Sequence, residues 1–365
     1  MVENAPLPPG TKRYDPAVVQ NFIASALRAA GVATEDAALV AEVLVGADLR
    51  GVRSHGAARV TYFLNFLERG KINVAPKMTF AQKTDTTGVL DADNGLGIIA
   101  AGKAMDEAMK MAARHGTGFV GVTNSSHFGY AGYWAERAMR KGFIGISMSN
   151  SGGRTTPTFG SEGMLGTNPF SVAIGGGANG TDFLLDMATT TVAVGKIETA
   201  LREGREIPKG WVSEAHAKPA LNDKGILQHE SPLLPLGGAG TEHGGHKGYG
   251  LNLMIELLCG AVMGTPFADR IAGAGGKSRP AMGHLMGAIQ IAGFREPKEV
   301  HADMQETFKI LRGAEKEPGH DRIYIHGEPE AIATAENRKI GIPITPKILE
   351  QLHKVAERLR INDTL

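Results

Sequence analysis

The chain has 365 residues, with Lys+Arg 39 against Asp+Glu 38, a formal net charge of +1 and one cysteine, Cys259. That length predicts about two lobes at ~150 residues each and a sizeable core. Balanced charge excludes the basic footprint of nucleic-acid or membrane-surface binding, and a lone cysteine excludes a disulfide framework or Cys-rich zinc module.

Met1–Pro9 has neither a basic region nor an apolar run, so no secretory signal is expected. Thr34 to Arg50 reads as a helix, with capping-type Thr34 and Asp36 ahead of Ala37, Val40, Val43 and Leu44 at helical spacing. A second helix is predicted from His55 to Arg69, after the glycine-broken stretch Arg50-Gly51-Val52-Arg53-Ser54-His55-Gly56. Ile98 to Arg114 follows as a helix, then Phe119–Val122 as a strand, Tyr130–Lys141 as a helix and Phe143–Met148 as a strand. Phe170–Ile174 and Phe183–Asp186 read as strands and Thr190–Arg202 as a helix. Residues 203–240 are loop-rich, Tyr249–Met263 is helical and 271–283 is rich in Gly and Pro; a last helix covers 345–361. Tyr249–Met263 is shorter than a ~20-residue membrane span and contains Asn252 and Glu256, so a buried or half-buried helix is expected. The pattern is mixed α/β without internal repeats, and the protein is expected to be soluble and cytoplasmic.

Three patterns imitate other chemistries. Gly95-Leu96-Gly97-Ile98-Ile99-Ala100 matches a dinucleotide turn, but the next strand ends Val122-Thr123-Asn124 without the acid that would hold a ribose. An ordinary helix start explains it better. Gly276-Lys277-Ser278 resembles the end of a P-loop, yet position 271 is isoleucine and Pro280 spoils the helix. His243 and His246, beside Glu242, suggest a metal-dependent hydrolase as an alternative, but no third ligand falls at a diagnostic spacing. No metal is expected.

Other residues carry more. Lys247 sits in Gly244-Gly245-His246-Lys247-Gly248-Tyr249-Gly250 at a helix start, where the macrodipole disfavours a cation unless an anion answers it. A solvated lysine explains the position equally well. Asp186-Met187-Ala188-Thr189-Thr190 lies at a strand-to-helix junction, either as an N-cap or as the lining of a cofactor cleft. His55 and His127 occupy small-residue polar turns, and histidine is suited to proton exchange near neutral pH. Arg50, Arg53 and Arg59 surround His55, with Arg59 four residues on along the same predicted helix face. Guanidinium groups grip carboxylates in pairs of hydrogen bonds, so this set suits an acid substrate. Surface arginines around a loop histidine are the bland reading.

Asp48-Leu49-Arg50-Gly51-Val52-Arg53-Ser54-His55-Gly56, Ser126-His127-Phe128-Gly129, Gly166-Thr167-Asn168-Pro169, Asp186-Met187-Ala188-Thr189 and Gly245-His246-Lys247-Gly248-Tyr249-Gly250-Leu251 stand in the order and spacing of a known family. Over essentially its whole length the chain resembles the type-2 malate/L-lactate dehydrogenases, which include sulfolactate and ureidoglycolate dehydrogenases and some keto-acid and cyclic-imine reductases. The resemblance implies a non-Rossmann nicotinamide fold, an α+β architecture with a largely antiparallel sheet flanked by helices, and a homodimer. It implies a helical part from 1–75 plus 330–365 and a cofactor-binding part over 76–329, with contacts concentrated in 146–250. The proton-transfer histidine maps to His55 or His127. Cofactor contacts map to Ser151, Thr167, Asn168, the stretch Leu184–Thr190 (so Asp186, Met187, Ala188 and Thr189), His246, Lys247, Gly327 and Glu328. Here the last turn reads Tyr-Ile-His-Gly-Glu, where relatives often have a Pro-Gly-Glu type turn. The expected substrate is a small 2-hydroxy or 2-oxo acid, malate first, with its carboxylate on Arg59 and Arg50. The expected cofactor is NAD, with NADP left open, and Asp186 is expected to orient the nicotinamide or relay a proton.

Overall fold

Asp15 accepts a hydrogen bond from the Ala17 N–H, and Pro16 supplies a preset first-turn φ, so the chain enters a helix at once. In the computed structural model, which describes residues 7–178, 180–202, 204–214, 232–271 and 281–365, this helix is α1 (Pro16–Ala29). It packs on α2 (Thr34–Leu49), and α3 (Val60–Glu68) follows. Thr34 is the first residue inside α2 rather than its cap; the cap position is Ala33, with no side-chain bond.

Strand β1 (Lys12–Tyr14) pairs antiparallel with β9 (Ile342–Ile344), which joins the two ends of the chain. α10 (Pro346–Leu359) closes against α1 and α3. The terminal helices therefore share one continuous apolar core with the sheet: Phe22, Leu44, Phe63, Met105, Trp134, Met286 and Leu352 belong to a single buried cluster. Each such side chain contributes on the order of 1.5–3 kcal/mol.

The main sheet has strand order β2-β3-β4-β8-β5-β6-β7, built from β2 (Thr79–Gln82), β3 (Thr87–Asp91), β4 (Thr117–Ser125), β5 (Phe143–Ser149), β6 (Phe170–Ile174), β7 (Phe183–Met187) and β8 (Met282–Gln290). Among the described strands of this sheet only β3 and β4 pair in parallel, connected by α4 (Gly97–His115), and the other ladders are antiparallel. The largely antiparallel α+β expectation holds. α4 buries Ile98, Ala101, Met105, Ala108 and Ala112 on one face, as its periodicity predicts.

The Gly95–Ala100 turn is a βαβ turn, yet it is closed by its own chain. The Gly97 N–H donates to Ser126 Oγ, and a Cβ at Gly97 would lie 1.9 Å from the Ser126 carbonyl oxygen. Serine fills the place where a pyrophosphate would need to sit.

Three sequence-predicted boundaries move. The helix predicted from His55 begins only at Val60, after two short 3-10 turns, Arg53–His55 and Ala57–Arg59. α6 runs Val194–Arg202, because Thr190 and Thr191 bond to Val192 and Pro235 instead of starting a helix. α7 begins early, at Gly245, and runs to Glu256 before a wider π-type turn over Leu257–Ala261. α5 (Ala131–Met139), α8 (Pro297–Arg312) and α9 (Glu328–Ile340) complete the helices named here. The P-loop look-alike at 276–278 lies outside the described residues. Among the described residues no helix is long and apolar enough to cross a membrane.

Candidate active site

His55 and His127 come from different elements and meet. Their ring centroids are 5.4 Å apart, and both side chains are half-buried. His127 follows the end of β4; the Gly129 N–H donates to its Nδ1 at 3.1 Å, and the Trp134 indole N–H holds the neighbouring Phe128 carbonyl at 2.8 Å. With Nδ1 accepting, the neutral ring carries its proton on Nε2. His55 has Ser54 Oγ 2.9 Å from its Nδ1, so either nitrogen can carry its proton.

Arg59 folds back to donate from Nε to the Ser54 carbonyl at 2.7 Å, which places the guanidinium beside both rings. Burial, then Arg59, push His55 down to about 3. The same two causes, with His55 and His284 adding to them, hold His127 well below the usual histidine range. Both imidazoles are neutral in the free protein. Tyr62 also faces Arg59; burial pushes its phenol up to about 12, so it stays protonated.

The expected single helix face for His55 and Arg59 does not exist. Asp48, near the end of α2, accepts the Ala57 N–H at 2.7 Å, and this bond divides the segment into two tight turns. Arg53 is not a free surface charge but faces Asp48. Arg50 does not join Arg59 either. It pairs with Glu136 at 3.4 Å and lines a cavity of 490 Å³ with Asp186, Leu184, Tyr324 and Gly327.

Asp186 belongs to that cavity rather than to the histidines. The residue is exposed on the strand, yet loss of water around its carboxyl raises it to about 6, against the Gly132 N–H and Arg50, which pull it down. The charges acting on His127 are Arg59, His55 and His284, a separate set.

Ser151, Thr167 and Asn168 are knit together. Ser151 Oγ accepts the Thr167 N–H at 3.2 Å, and Asn168 Oδ1 accepts the Ser151 N–H at 3.2 Å. Asn168 is fully buried, and its amide donates to Asn252 Oδ1 at 2.8 Å and Glu256 Oε2 at 2.7 Å, so it braces the loop from beneath. Thr189 is likewise buried, donating to the Asn168 carbonyl at 2.9 Å. Met187 and Ala188 are half-buried beside them. Asn252 and Glu256, which argued against a membrane span, are the buried polar supports of this loop.

At the start of α7, Gly244 adopts φ +84° and Lys247 is exposed, lining a cavity of 430 Å³ with Leu236, Thr241, Glu242 and His243. The helix amides are less available than expected: the His246 N–H donates to Gly240 and the Lys247 N–H to Gly244. Lys247 itself makes no ion pair among the described residues. His243 and His246 are both exposed, and among the described residues no group of three or more His, Cys, Asp and Glu side chains could hold a metal ion.

The profile of the malate/L-lactate dehydrogenases matches residues 14–353. This chain belongs to that family. The malate dehydrogenase of Pyrococcus abyssi is 38% identical over 348 residues, 93% of each chain. The L-sulfolactate dehydrogenase of Methanocaldococcus jannaschii is 36% identical over 344 residues, 94% of this chain and 96% of that one. The solved malate dehydrogenase of Pyrococcus horikoshii superposes with a TM-score of 0.88 at 34% identity, covering 99% of both chains.

For a dehydrogenase of this family, two further features stand out, one on a strand the sequence does not mark and one at the head of the first motif. His284, on β8, is fully buried behind the site, and Asp48 is tied to the loop that carries His55. In the C-terminal turn, Glu328 is occupied within the protein. Burial works to raise its carboxyl, but the Ile325 N–H and the Arg312 and Arg322 guanidiniums outweigh that and hold it below the usual range. Gly327, in contrast, borders the Asp186 cavity.

Proposed function

We propose that this dehydrogenase interconverts a 2-hydroxy acid and its 2-oxo acid, malate and oxaloacetate before other pairs, with NAD before NADP. The observation that carries the reading is the meeting of His55 and His127 beside Arg59, a neutral proton-transfer pair next to a carboxylate grip.

Arg59 binds the substrate's C1 carboxylate through two N–H donors. Arg154, on the loop after β5, shares the influence of Glu198 with Arg59 and suits the second carboxylate of a dicarboxylic acid. In oxidation His55 takes the hydroxyl proton, while His127 holds the substrate oxygen with its Nε2–H. The pair act in reverse during reduction. The malate dehydrogenases among the relatives support the choice of substrate.

The residues fit a dinucleotide. Asp186 opens onto a cavity with apolar Leu184 and Tyr324, and Lys247, which makes no ion pair among the described residues, lines a second cavity. Asp186, Met187, Ala188 and Gly327 would hold one end, Ser151 and Thr167 would border it, and Lys247 with His246 would meet the phosphate charge. When bound, the cofactor gives or accepts the hydride. Glu330 stands with Asp186 at the same cavity, and two carboxylates there disfavour a phosphate on the ribose.

A homodimer is supported by the apolar face of α7 and the following turn, where Leu251, Met254, Leu257 and Val262 are all exposed. A reducing cytoplasm suits the single free cysteine.

The test is NADH oxidation followed spectrophotometrically with oxaloacetate, pyruvate, a sulfonated 2-oxo acid and a cyclic imine, repeated with NADPH. Oxaloacetate with NADH is expected to give the highest kcat/KM, unaffected by a chelator. Turnover of none of these substrates sinks the reading.

A further inference from the structure

We propose that Asp48 is the positioning residue for the loop that carries His55 and Arg59, holding both side chains in register through one buried hydrogen bond. The inference rests on the functional reading above, because it gives those two side chains their tasks.

Asp48 is badly placed for stability. It is 3% exposed and sits in the last turn of α2, where the helix macrodipole is negative and a carboxylate is unfavourable. Among the described residues its carboxylate has one hydrogen bond in return, the Ala57 N–H on Oδ2 at 2.7 Å. Ala57 lies two residues after His55 and two before Arg59, so this bond fixes the centre of the segment with a functional side chain at each end. Arg59 closes the loop from its far side by donating to the Ser54 carbonyl. Gly56 is pressed so tightly on the carboxylate that a Cβ there would lie 1.8 Å from Asp48 Oδ1. Only glycine leaves room for the carboxylate.

The support behind Asp48 is rigid. Asn337 on α9 donates to the Leu49 carbonyl at 2.9 Å, and its own Oδ1 accepts from Arg13 at 3.0 Å. Arg13 also donates to the Gly341 carbonyl, so the end of α2 is pinned to the terminal two-stranded sheet. The arrangement is a fixed post with a carboxylate at its tip.

Its charge changes near neutral pH. Burial raises the carboxyl to about 7, opposed by the Ala57 N–H and by Arg53, the charged group that faces it. From α9 the facing side chain is Asn337, which does not titrate. Protonation weakens both the Ala57 bond and the attraction to Arg53, so the loop is held most firmly above that pH.

The experiment compares Asp48→Ala and Asp48→Asn in the full-length enzyme by three readouts: amide hydrogen exchange at Ala57, steady-state kinetics against pH, and NADH affinity by fluorescence. Asp48→Ala is expected to speed exchange at Ala57 and to lower kcat/KM for the oxo acid, each by about tenfold or more, with NADH affinity unchanged. Asp48→Asn keeps an acceptor of the same shape, so Ala57 stays protected. This variant should, however, lose the inflection near neutral pH that is expected of the wild type in kcat/KM. Unchanged Ala57 exchange in Asp48→Ala overturns the proposal. So does an Asp48→Asn pH profile superposing on the wild type, or NADH affinity falling in step with activity, which marks a general fold effect. If the wild type turns over no 2-oxo acid the functional reading fails, and exchange at Ala57 alone decides whether Asp48 holds the loop.

Discussion

His284 lies flat against Phe128, ring centroids 4.7 Å apart and planes 11° from parallel, with a serine hydroxyl on each ring nitrogen. It stands on the central strand β8, opposite Val122 of β4 and Ser149 of β5, so a single side chain ties three strands beneath the His127 turn. Burial pushes it down to about 3, and it is neutral in the folded protein. A histidine whose folded pKa is depressed contributes stability that is fully present above its unfolded value. That stability is lost as pH falls from 6.5 towards 3. His284→Gln keeps polar contacts but cannot titrate. Unfolding free energies from urea titrations at several pH values should fall more steeply for wild type than for His284→Gln over that window, by on the order of a few kcal/mol at its acid end. Parallel curves refute the role.

The two site histidines separate by chemical rescue. Replacing His55 with alanine removes the base and should cost about 10²–10⁴ in hydride-transfer rate. Exogenous imidazole should restore part of it. His127→Ala removes an oriented donor to the reacting oxygen, at a cost of about 10²–10³, and a mobile base cannot replace an oriented donor. Single-turnover rates with and without imidazole check this, and rescue of His127→Ala alone reverses the two roles. In the free enzyme neither ring should titrate between about pH 5.5 and 8 by NMR, because both are held neutral by burial and by Arg59.

What the sequence made legible follows from what is local. α4, β4 and β5 could be read because their apolar spacing matches one face of a helix or a short apolar run. β8 was not read, although it is the centre of the sheet. Met282–Gln290 lies between two neighbouring strands and next to a Gly/Pro-rich stretch, with buried residues on both faces, so no alternation marks it. His284 was hidden with it. α1 carries a legible start signal in Asp15 and Pro16, although no expectation was placed on it. His55, His127 and Arg59 stand out in the sequence and the fold brings them together, but the partners that sort the arginines are not legible there. Glu136, 86 positions from Arg50, pairs with that arginine, and Asp48 acts on Arg53 at longer range through its charge. Those pairings are made by the fold, and no spacing in the chain encodes them.

Asp186 gives a test of cofactor choice. Asp186→Ser removes the carboxylate that borders the cavity while leaving the Gly132 N–H an acceptor. The ratio of kcat/KM for NADPH to that for NADH should rise by about tenfold or more, through the KM of the cofactor rather than kcat. The KM for the oxo acid should not move, since Arg50 and Asp186 line a cavity to which Arg59 does not contribute. An altered oxo-acid KM with an unchanged cofactor ratio would falsify the assignment and return Asp186 to the substrate.

The apolar face of α7 has a consequence for assembly. Leu251, Met254 and Leu257 recur at intervals of three residues along one side, and Val262, 66% exposed, extends the patch beyond the π-type turn. Leaving such a row in water is unfavourable by about 25 cal/mol per Å² of apolar surface, so a second copy packed by two-fold symmetry is the natural cover. The opposite side of the same helix holds Asn252 and Glu256 under the Ser151 loop, so a dimer formed through this face would share one support with that loop. Leu257→Glu should shift the protein from dimer to monomer in analytical ultracentrifugation at micromolar concentration. Because α7 supports that loop, the monomer should bind NADH more weakly, in proportion to its fraction. A Leu257→Glu protein that remains dimeric removes this face from the interface. A monomer with full NADH affinity breaks the link between α7 and the loop.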